Sequence, residues 1–335
     1  MFRTRLTELF GMRLPVLGGG MMWLSDARYV AALARAGALG FVTPRSFDGL
    51  DSFRAALREC REASGGNPFG VNITQSRRPE ENRLVPAWID IGLEEGANAF
   101  ETVGPSPREL FERIHAGGAR VIHKCAFIPH ALKAQDAGAD AVALVGCEAG
   151  GHPGTNELPT FVLAALALEQ LRVPLALGGG IGSGRQIAAA LALGADAVVM
   201  GTRFLVCEET WAHENYKRHL AAQPAEASTL ALRSTGHPWR VLDNDTVRRT
   251  RELEAEGACR YPDFGALSTG RLGRDGAYAA GDWNTGLLSM GPAIGFADRI
   301  EPVQAVLQRL MDEAATGVAH LRALASPNTT PTSLL

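Results

Sequence analysis

The sequence predicts an α/β protein, a closed (β/α)8 TIM barrel with an additional helical segment after its eighth strand. Three observations carry that prediction. One short unit recurs: a helix end, a glycine, a small residue, then an apolar strand. It reads Ala36-Gly37-Ala38-Leu39-Gly40-Phe41-Val42, Glu95-Gly96-Ala97-Asn98-Ala99-Phe100, Ala116-Gly117-Gly118-Ala119-Arg120-Val121-Ile122, Ala137-Gly138-Ala139-Asp140-Ala141-Val142 and Leu193-Gly194-Ala195-Asp196-Ala197-Val198. Glycine closes such helices in a left-handed conformation that other residues adopt only with strain. The apolar runs are continuous rather than alternating, as expected of parallel strands buried on both faces. Two glycine-bearing segments, Leu177-Gly178-Gly179-Gly180-Ile181-Gly182-Ser183-Gly184 and Val199-Met200-Gly201-Thr202-Arg203, follow consecutive strand-type runs. That arrangement matches the phosphate site after strands seven and eight of a barrel, and the N-terminus of the helix starting near Gln186 adds a favourable dipole.

In chain order the strands fall at about 14–20, 38–43, 69–74, 99–103, 120–125, 141–147, 173–178 and 197–202. Helical stretches such as Asp26 to Arg35, Glu109 to His115 and Gln186 to Leu193 separate them, giving successive βα units. Eight units favour a closed barrel over an open sheet. From about 207 to 280 the chain is polar and rich in Arg and Glu, and reads as helices without a further strand. Residues 1–206 are therefore expected to form the barrel, with 207–280 as a helical cap or substrate segment. The chain returns through Gly286-Leu287-Leu288-Ser289-Met290-Gly291-Pro292, so that 281–325, ending in a helix over about 301–324, completes the barrel. Residues 326–335 read as a frayed tail.

Composition narrows the function classes. Forty-six per cent hydrophobic and 21% charged residues describe an ordinary soluble globular protein. A net charge of -3 makes no case for nucleic acid or an anionic membrane. No apolar run approaches the roughly 18 to 20 residues of a membrane span, and Met1-Phe2-Arg3-Thr4-Arg5 lacks a signal-peptide core. Cys60, Cys125, Cys147, Cys207 and Cys259 are scattered without CxxC spacing, which argues against a disulfide framework or a zinc site and for a reducing cytoplasm. The partner class is a small molecule, and a homodimer is compatible with the sequence.

Barrel chemistry sits at the C-terminal strand ends. These are Gly18-Gly19-Gly20-Met21-Met22-Trp23, Thr43-Pro44-Arg45, Asn72-Ile73-Thr74-Gln75, Glu101-Thr102, His123-Lys124-Cys125 and Cys147-Glu148-Ala149-Gly150-Gly151-His152-Pro153-Gly154. His152, among small neighbours and with an ordinary pKa near 6.5, is the candidate for acid–base work. Lys124 has three roles open to it: pairing with a ligand phosphate, forming a Schiff base, or bridging to Glu101 or Glu148. Of His123 and Lys124, one points into the barrel and the other towards the helices. His115, His130, His213, His219, His237 and His320 lie on helical or polar stretches and read as surface residues, and no spacing supports a metal. Arg233, His237, Trp239 and Arg240 fall in the polar segment; any of them could reach a substrate, while surface exposure is expected for most.

With these residues in view, the chain resembles the nitronate monooxygenase family, formerly called 2-nitropropane dioxygenases, which are FMN-containing barrels. Pro15-Val16-Leu17-Gly18-Gly19-Gly20-Met21 looks like the family's first-strand motif against the flavin, which implies roles for Gly19, Gly20 and Met21. Gly70-Val71-Asn72 is similar to the strand-three motif whose Asn contacts FMN, and Lys124 matches a strand-five residue near the cofactor. Glu148-Ala149-Gly150-Gly151-His152 is the most specific match, with His152 in the catalytic position. Gly179-Gly180 and Gly201-Thr202 match the FMN phosphate loops, and Ser289-Met290-Gly291 the segment that returns to the flavin. Two positions depart from the pattern: Gly18, where the family usually has Gln beside the flavin, and Pro153, where many nitronate oxidisers carry Arg. His123-Lys124-Cys125 with Gly151-His152-Pro153-Gly154 looks closer to a subgroup acting as NADH:quinone reductases.

The resemblance implies an FMN-dependent oxidoreductase oxidising alkyl nitronates with O2. Reduction of a quinone by NADH or NADPH on the same barrel is the alternative, followed by oxidoreduction of an acyl thioester. A flavin-free barrel using Lys124 as a Schiff-base nucleophile is the competitor from a different class.

Overall fold

The computed structural model describes residues 2–76, 78–105 and 108–325; the tail expected at 326–335 lies outside them. After α1 (Arg5–Phe10) come β1 (Val16–Gly18), α2 (Ala27–Ala36), β2 (Leu39–Val42), α3 (Leu50–Ala63), β3 (Gly70–Thr74), α4 (Val85–Glu94), β4 (Ala99–Val103) and α5 (Arg108–Ala116). Then follow β5 (Arg120–Cys125), α6 (Ile128–Ala137), β6 (Ala141–Val145), α7 (Thr160–Leu168), β7 (Leu175–Gly178), α8 (Gly184–Leu193) and β8 (Ala197–Met200). All eight strands are parallel. β1 pairs with β2 through Leu17↔Leu39 and with β8 through Leu17↔Val199, so the ring closes as a (β/α)8 barrel and has no sheet edge. The recurring helix-end glycines Gly37, Gly96, Gly118, Gly138 and Gly194 all have φ between +81° and +116°, the left-handed region their repeat predicts.

Each strand is apolar throughout because both faces are buried. Leu17, Phe41, Ala99, Ile122, Ala143, Ala176 and Val199 fill the barrel, and Leu6 and Phe10 of α1 join that cluster from the N-terminal end. An eight-stranded interior is just wide enough for side chains to fill, so several inward positions are alanine. Val42, Val71, Phe100, Val121 and Val142 face outward and pack with the helices.

The polar segment corrects one expectation. It contains α9 (Glu214–Ala221), α10 (Asp245–Ala255) and α11 (Gly270–Gly273), but also β9 (Ser228–Ala231) and β10 (Trp239–Leu242), an antiparallel pair in register Trp239↔Ala231 and Leu242↔Ser228. Four-residue strands among charges are too short for periodicity to reveal. They form because Ala231, Val241 and Leu242 are buried, the first two against Phe264 and Leu287. The chain then returns, and α12 (Val303–Ala325) packs along α8 and α2. No helix among the described residues is long and apolar enough to cross a membrane.

α8 and α12 approach so closely that a Cβ on Gly184 would lie 2.0 Å from the Leu310 carbonyl oxygen, a backbone atom that cannot swing aside. Alanine is the better helix former by about 1 kcal/mol, so any loss comes from that contact. Gly184→Ala is expected to destabilise the protein by about 1–3 kcal/mol, measured by urea unfolding. Unchanged or raised stability would show that the two helices can slide apart.

Candidate functional site

Register builds the first part of the site. Asn72 on β3 lies opposite Glu101 on β4, Ile122 on β5 is Glu101's other partner, and Lys124 stands two residues further on the same face. The Glu101 carboxylate, 1% exposed, accepts from the Asn72 side-chain amide, from the Gly20 N–H at 3.1 Å and from Lys124 Nζ at 2.9 Å. A buried carboxylate is tolerated only when such donors replace its water. Lys124 therefore bridges to Glu101, while Glu148 turns elsewhere. His123 points the other way, its Nδ1 2.9 Å from Thr102 Oγ1 and its ring against Phe111. Burial, aided by the His130 charge, lowers its pKa to about 4, so it is a neutral packing residue.

The glycine loops supply donors. Among the described residues, no protein acceptor pairs with the backbone N–H of Gly180, Ile181, Gly201 or Thr202. Backbone donors of this kind need a partner. A Cβ on Gly201 would meet only Met21, at 3.8 Å, so this glycine borders space that a side chain would fill. The α8 N-terminus itself is already satisfied. Gln186 Oε1 accepts from Gly182 N at 2.9 Å and Ser183 N at 3.1 Å, and Glu313 Oε2 accepts from Gly184 N at 2.7 Å. The open donors thus belong to the glycine loops, and the helix end behind them, expected to add its dipole, is already capped.

The loop after β6 carries His152 and is anchored at both ends. Glu148 accepts from Thr160 N at 3.0 Å and Thr160 Oγ1 at 2.8 Å, plugging the start of α7. Gly151 exchanges two backbone hydrogen bonds with Arg240, at 3.0 and 2.6 Å. Gly150 packs so tightly that a Cβ would lie 2.7 Å from Gly291 N and 3.1 Å from Thr202 Oγ1. Gly291 N also donates to Thr202 Oγ1 at 2.9 Å, which joins the return segment to the second glycine loop.

His152 stands at the rim of this mouth with its ring against Trp239, centroids 4.9 Å apart and planes tilted by 32°, and the Trp239 Nε1 donates to Ser289 Oγ at 2.8 Å. The surrounding protein removes water from the ring and lowers its pKa, and the His237 charge lowers it further against an opposing effect of the Pro238 carbonyl. The ring is therefore neutral at pH 7.

Trp239 and Arg240, placed by the sequence in a polar segment of expected surface residues, are parts of this mouth. Arg240 Nε also donates to the Cys147 carbonyl at 3.0 Å. Arg233 is exposed, as expected, and pairs with Glu157. Gly18 is corrected as well: its Cβ would lie 2.3 Å from Leu33 Cδ1 of α2, so position 18 faces the helix layer, whereas Gly19 faces Glu101 and Lys124. Burial raises the pKa of Cys125 to about 12 and that of Cys147 above the ordinary thiol value, so neither is a thiolate nucleophile. Among the described residues no His, Cys, Asp and Glu group could hold a metal.

Comparison with known proteins supplies a frame for this geometry. The nitronate monooxygenase family model matches residues 3–313, and that family is generally flavin-dependent. A (3aS,4S,5R,7aS)-5-hydroxy-7a-methyl-1-oxo-octahydro-1H-indene-4-carboxyl-CoA dehydrogenase of Rhodococcus jostii is 34% identical over 77% of this chain and 70% of its own. A nitronate monooxygenase of Pseudomonas aeruginosa is 31% identical over 83% of this chain and 92% of its own. Among solved structures, FabK from Thermotoga maritima superposes with a TM-score of 0.88 at 32% identity, covering 97% of this chain and all of that one. A nitroalkane oxidase from Streptomyces ansochromogenes gives 0.78 at 27%, covering 94% and 99%.

Removing Glu101 leaves the Lys124 ammonium without its partner in a largely buried place. Glu101→Ala is expected to cost about 3 kcal/mol of stability, read by urea unfolding. Glu101→Gln, which keeps an acceptor for Gly20 and Asn72, should cost clearly less. Equal losses for the two would mean that the charge is irrelevant.

Proposed function

Because this chain belongs to the nitronate monooxygenase family, we propose that it is an FMN-dependent oxidoreductase that oxidises alkyl nitronates and their parent nitroalkanes. The observation that carries the reading is the convergence, at one end of the barrel, of unpaired loop amides with a neutral histidine. The residues fit FMN. The amides of Gly180, Ile181, Gly201 and Thr202, with Gly179 in the same turn, suit its phosphate. Gly19, Gly20 and Met21, with the Asn72 and Lys124 side chains, suit its ring system. Gly150, Gly151, Ser289 and Gly291 form the wall that joins Thr202 to His152.

FMN supplies the electron transfer when bound, while the protein supplies binding, orientation and the proton step. The neutral His152 imidazole accepts the proton that a nitroalkane loses from the carbon bearing its nitro group. Trp239 stacks on the ring and fixes its plane, and the paired Gly151 and Arg240 backbones fix the loop. The Glu101 carboxylate holds Asn72 and Lys124 in place before any ligand arrives, so their orientation costs nothing at binding.

A second reading is favoured by the charge balance of the mouth. Lys124 is neutralised by Glu101, His152 is uncharged and the Arg240 Nε is taken by the Cys147 carbonyl, so little positive charge faces a small anion there. An uncharged acceptor, a quinone or an acyl thioester, with NADH or NADPH as electron source, suits that balance. The likeness to a carboxyl-CoA dehydrogenase and to FabK supports it. Anaerobic mixing of the purified protein with NADH, NADPH and an alkyl nitronate, followed by flavin absorbance, separates the readings. Bleaching by nitronate alone supports the first, and bleaching by a nicotinamide supports the second. A protein without a flavin band refutes both.

His152→Ala is expected to retain bound FMN and lose about 10²–10⁴-fold in turnover; wild-type rates in the variant would remove His152 from the chemistry. A base works only when neutral, and the pKa of His152 lies below 6.5. The midpoint of the acid limb of kcat/KM should therefore lie below pH 6.5, with activity lost on acidification through it. A limb above 6.5 would contradict the assignment. Gly201→Leu should release FMN by filling the space beside Met21, measured as flavin absorbance per protein after gel filtration.

A further inference from the structure

A cavity of about 310 Å³ lies in the cap segment, beside the mouth. Its lining includes Ser228, Thr229, Arg233, Arg240, Arg251 and Glu254. Three arginines against one glutamate leave a formal balance of +2 on the lining itself (+3 and −1). We propose that this cavity binds the phosphate groups of a phosphorylated organic ligand whose reactive end enters the His152 mouth.

The arginines are held loosely enough to turn to a ligand. Arg233 meets Glu157 at 3.3 Å with both side chains more than 60% exposed, and Arg251 stands 3.8 Å from Asp243 while donating to Thr229 Oγ1. Exposed pairs of this kind are worth little and exchange readily. Glu254 accepts from Ser234 N at 2.8 Å, which turns one of its oxygens to the backbone. Among the described residues Arg240 has no carboxylate within ion-pair distance; its Nε donates to the Cys147 carbonyl. Planar guanidinium groups of this kind suit bidentate phosphate recognition. Ser228 and Thr229 add hydroxyl groups to the wall.

The link to the mouth is covalent and short. Arg240 follows Trp239, which stacks on His152, and its backbone pairs with Gly151, the residue before His152. The Arg240 guanidinium itself is held against the loop that carries His152, through its Nε on the Cys147 carbonyl, so a phosphate bound at Arg240 lies beside that loop. Backbone conformation marks the same corner. Among the described residues three that are not glycine have positive φ, and two of them, Leu232 and Glu157, flank Arg233 by sequence or by ion pair. Two ligand sources share this chemistry: a nicotinamide dinucleotide and a pantetheine thioester such as an acyl-CoA. A simple nitroalkane has no group for the site.

This inference rests on the oxidoreductase reading but is tested without turnover. Calorimetric titration of the flavin-loaded protein with coenzyme A, NADPH, NADH and inorganic pyrophosphate reads the site directly. Binding of coenzyme A or NADPH at micromolar Kd is expected, and which of the two binds names the source. Arg233→Met/Arg251→Met should weaken that Kd at least about tenfold, since charge-assisted hydrogen bonds to the phosphate are lost. Flavin absorbance per protein and Tm should stay at wild-type values. Failure of all four probes to bind, or the same Kd in the double variant, overturns the proposal. In either event a full flavin band leaves the oxidoreductase reading standing, and only its absence removes that reading.

Discussion

The backbone of Arg240 holds three segments that are far apart in the chain. Its carbonyl accepts from Gly151 N at 3.0 Å and from Met290 N at 3.2 Å, and its N–H donates to the Gly151 carbonyl. The loop after β6, the cap hairpin and the return segment are thereby held in one register. Trp239 lands on His152 because its neighbour is fixed this way, and Ser289 receives the Trp239 N–H because Met290 is fixed too. A barrel alone has no such wall. Its strand ends offer side chains around a ring, and a segment outside the eightfold repeat must close one side. The hairpin does so with backbone hydrogen bonds, which hold position more firmly than side-chain contacts because neither partner has rotamers to lose.

Charge at the mouth follows from burial more than from the number of ionisable residues. Glu101 and Lys124 remain a pair because each supplies what the other lost on leaving water. His123 and His152 both lose water, and both are driven towards the neutral form. Their fates differ through direction alone. His123 faces Phe111 and Thr102 behind the strand, where a neutral ring only packs. His152 stands at the mouth against Trp239, where a neutral ring keeps a lone pair available.

What the sequence revealed and what it concealed divide by range. The eight apolar runs and the helix-end glycines before five of them are local patterns, and every strand formed where its run put it. The loops Gly179-Gly180 and Gly201-Thr202 were legible for the same reason. Glu101 was visible only as one of two partners for Lys124, because the contact that decides between them depends on register among β3, β4 and β5. Trp239 and Arg240 stood out as residues able to reach a substrate, but their contacts were not legible, because the two strands that place them are four residues each in a charged stretch. The Gly18 position was misread because a run of three glycines carries no side-chain periodicity. Only the backbone shows that the first faces α2 and the second faces Glu101.

The same long range governs where an anion can bind. A helix N-terminus attracts negative charge, and α8 stands directly behind the first glycine loop. Yet its leading amides are taken by Gln186 from within and by Glu313 from α12. A carboxylate already sits where a phosphate would gain most from the dipole, and its charge repels a second anion there. The amides of Gly180, Ile181, Gly201 and Thr202 are spared that competition, since they lie in loops that α12 does not cap. The C-terminal helix therefore does more than cover the barrel. By filling one attractive position it leaves the unpaired donors of this corner to the two glycine loops, which adjoin the return segment through Thr202.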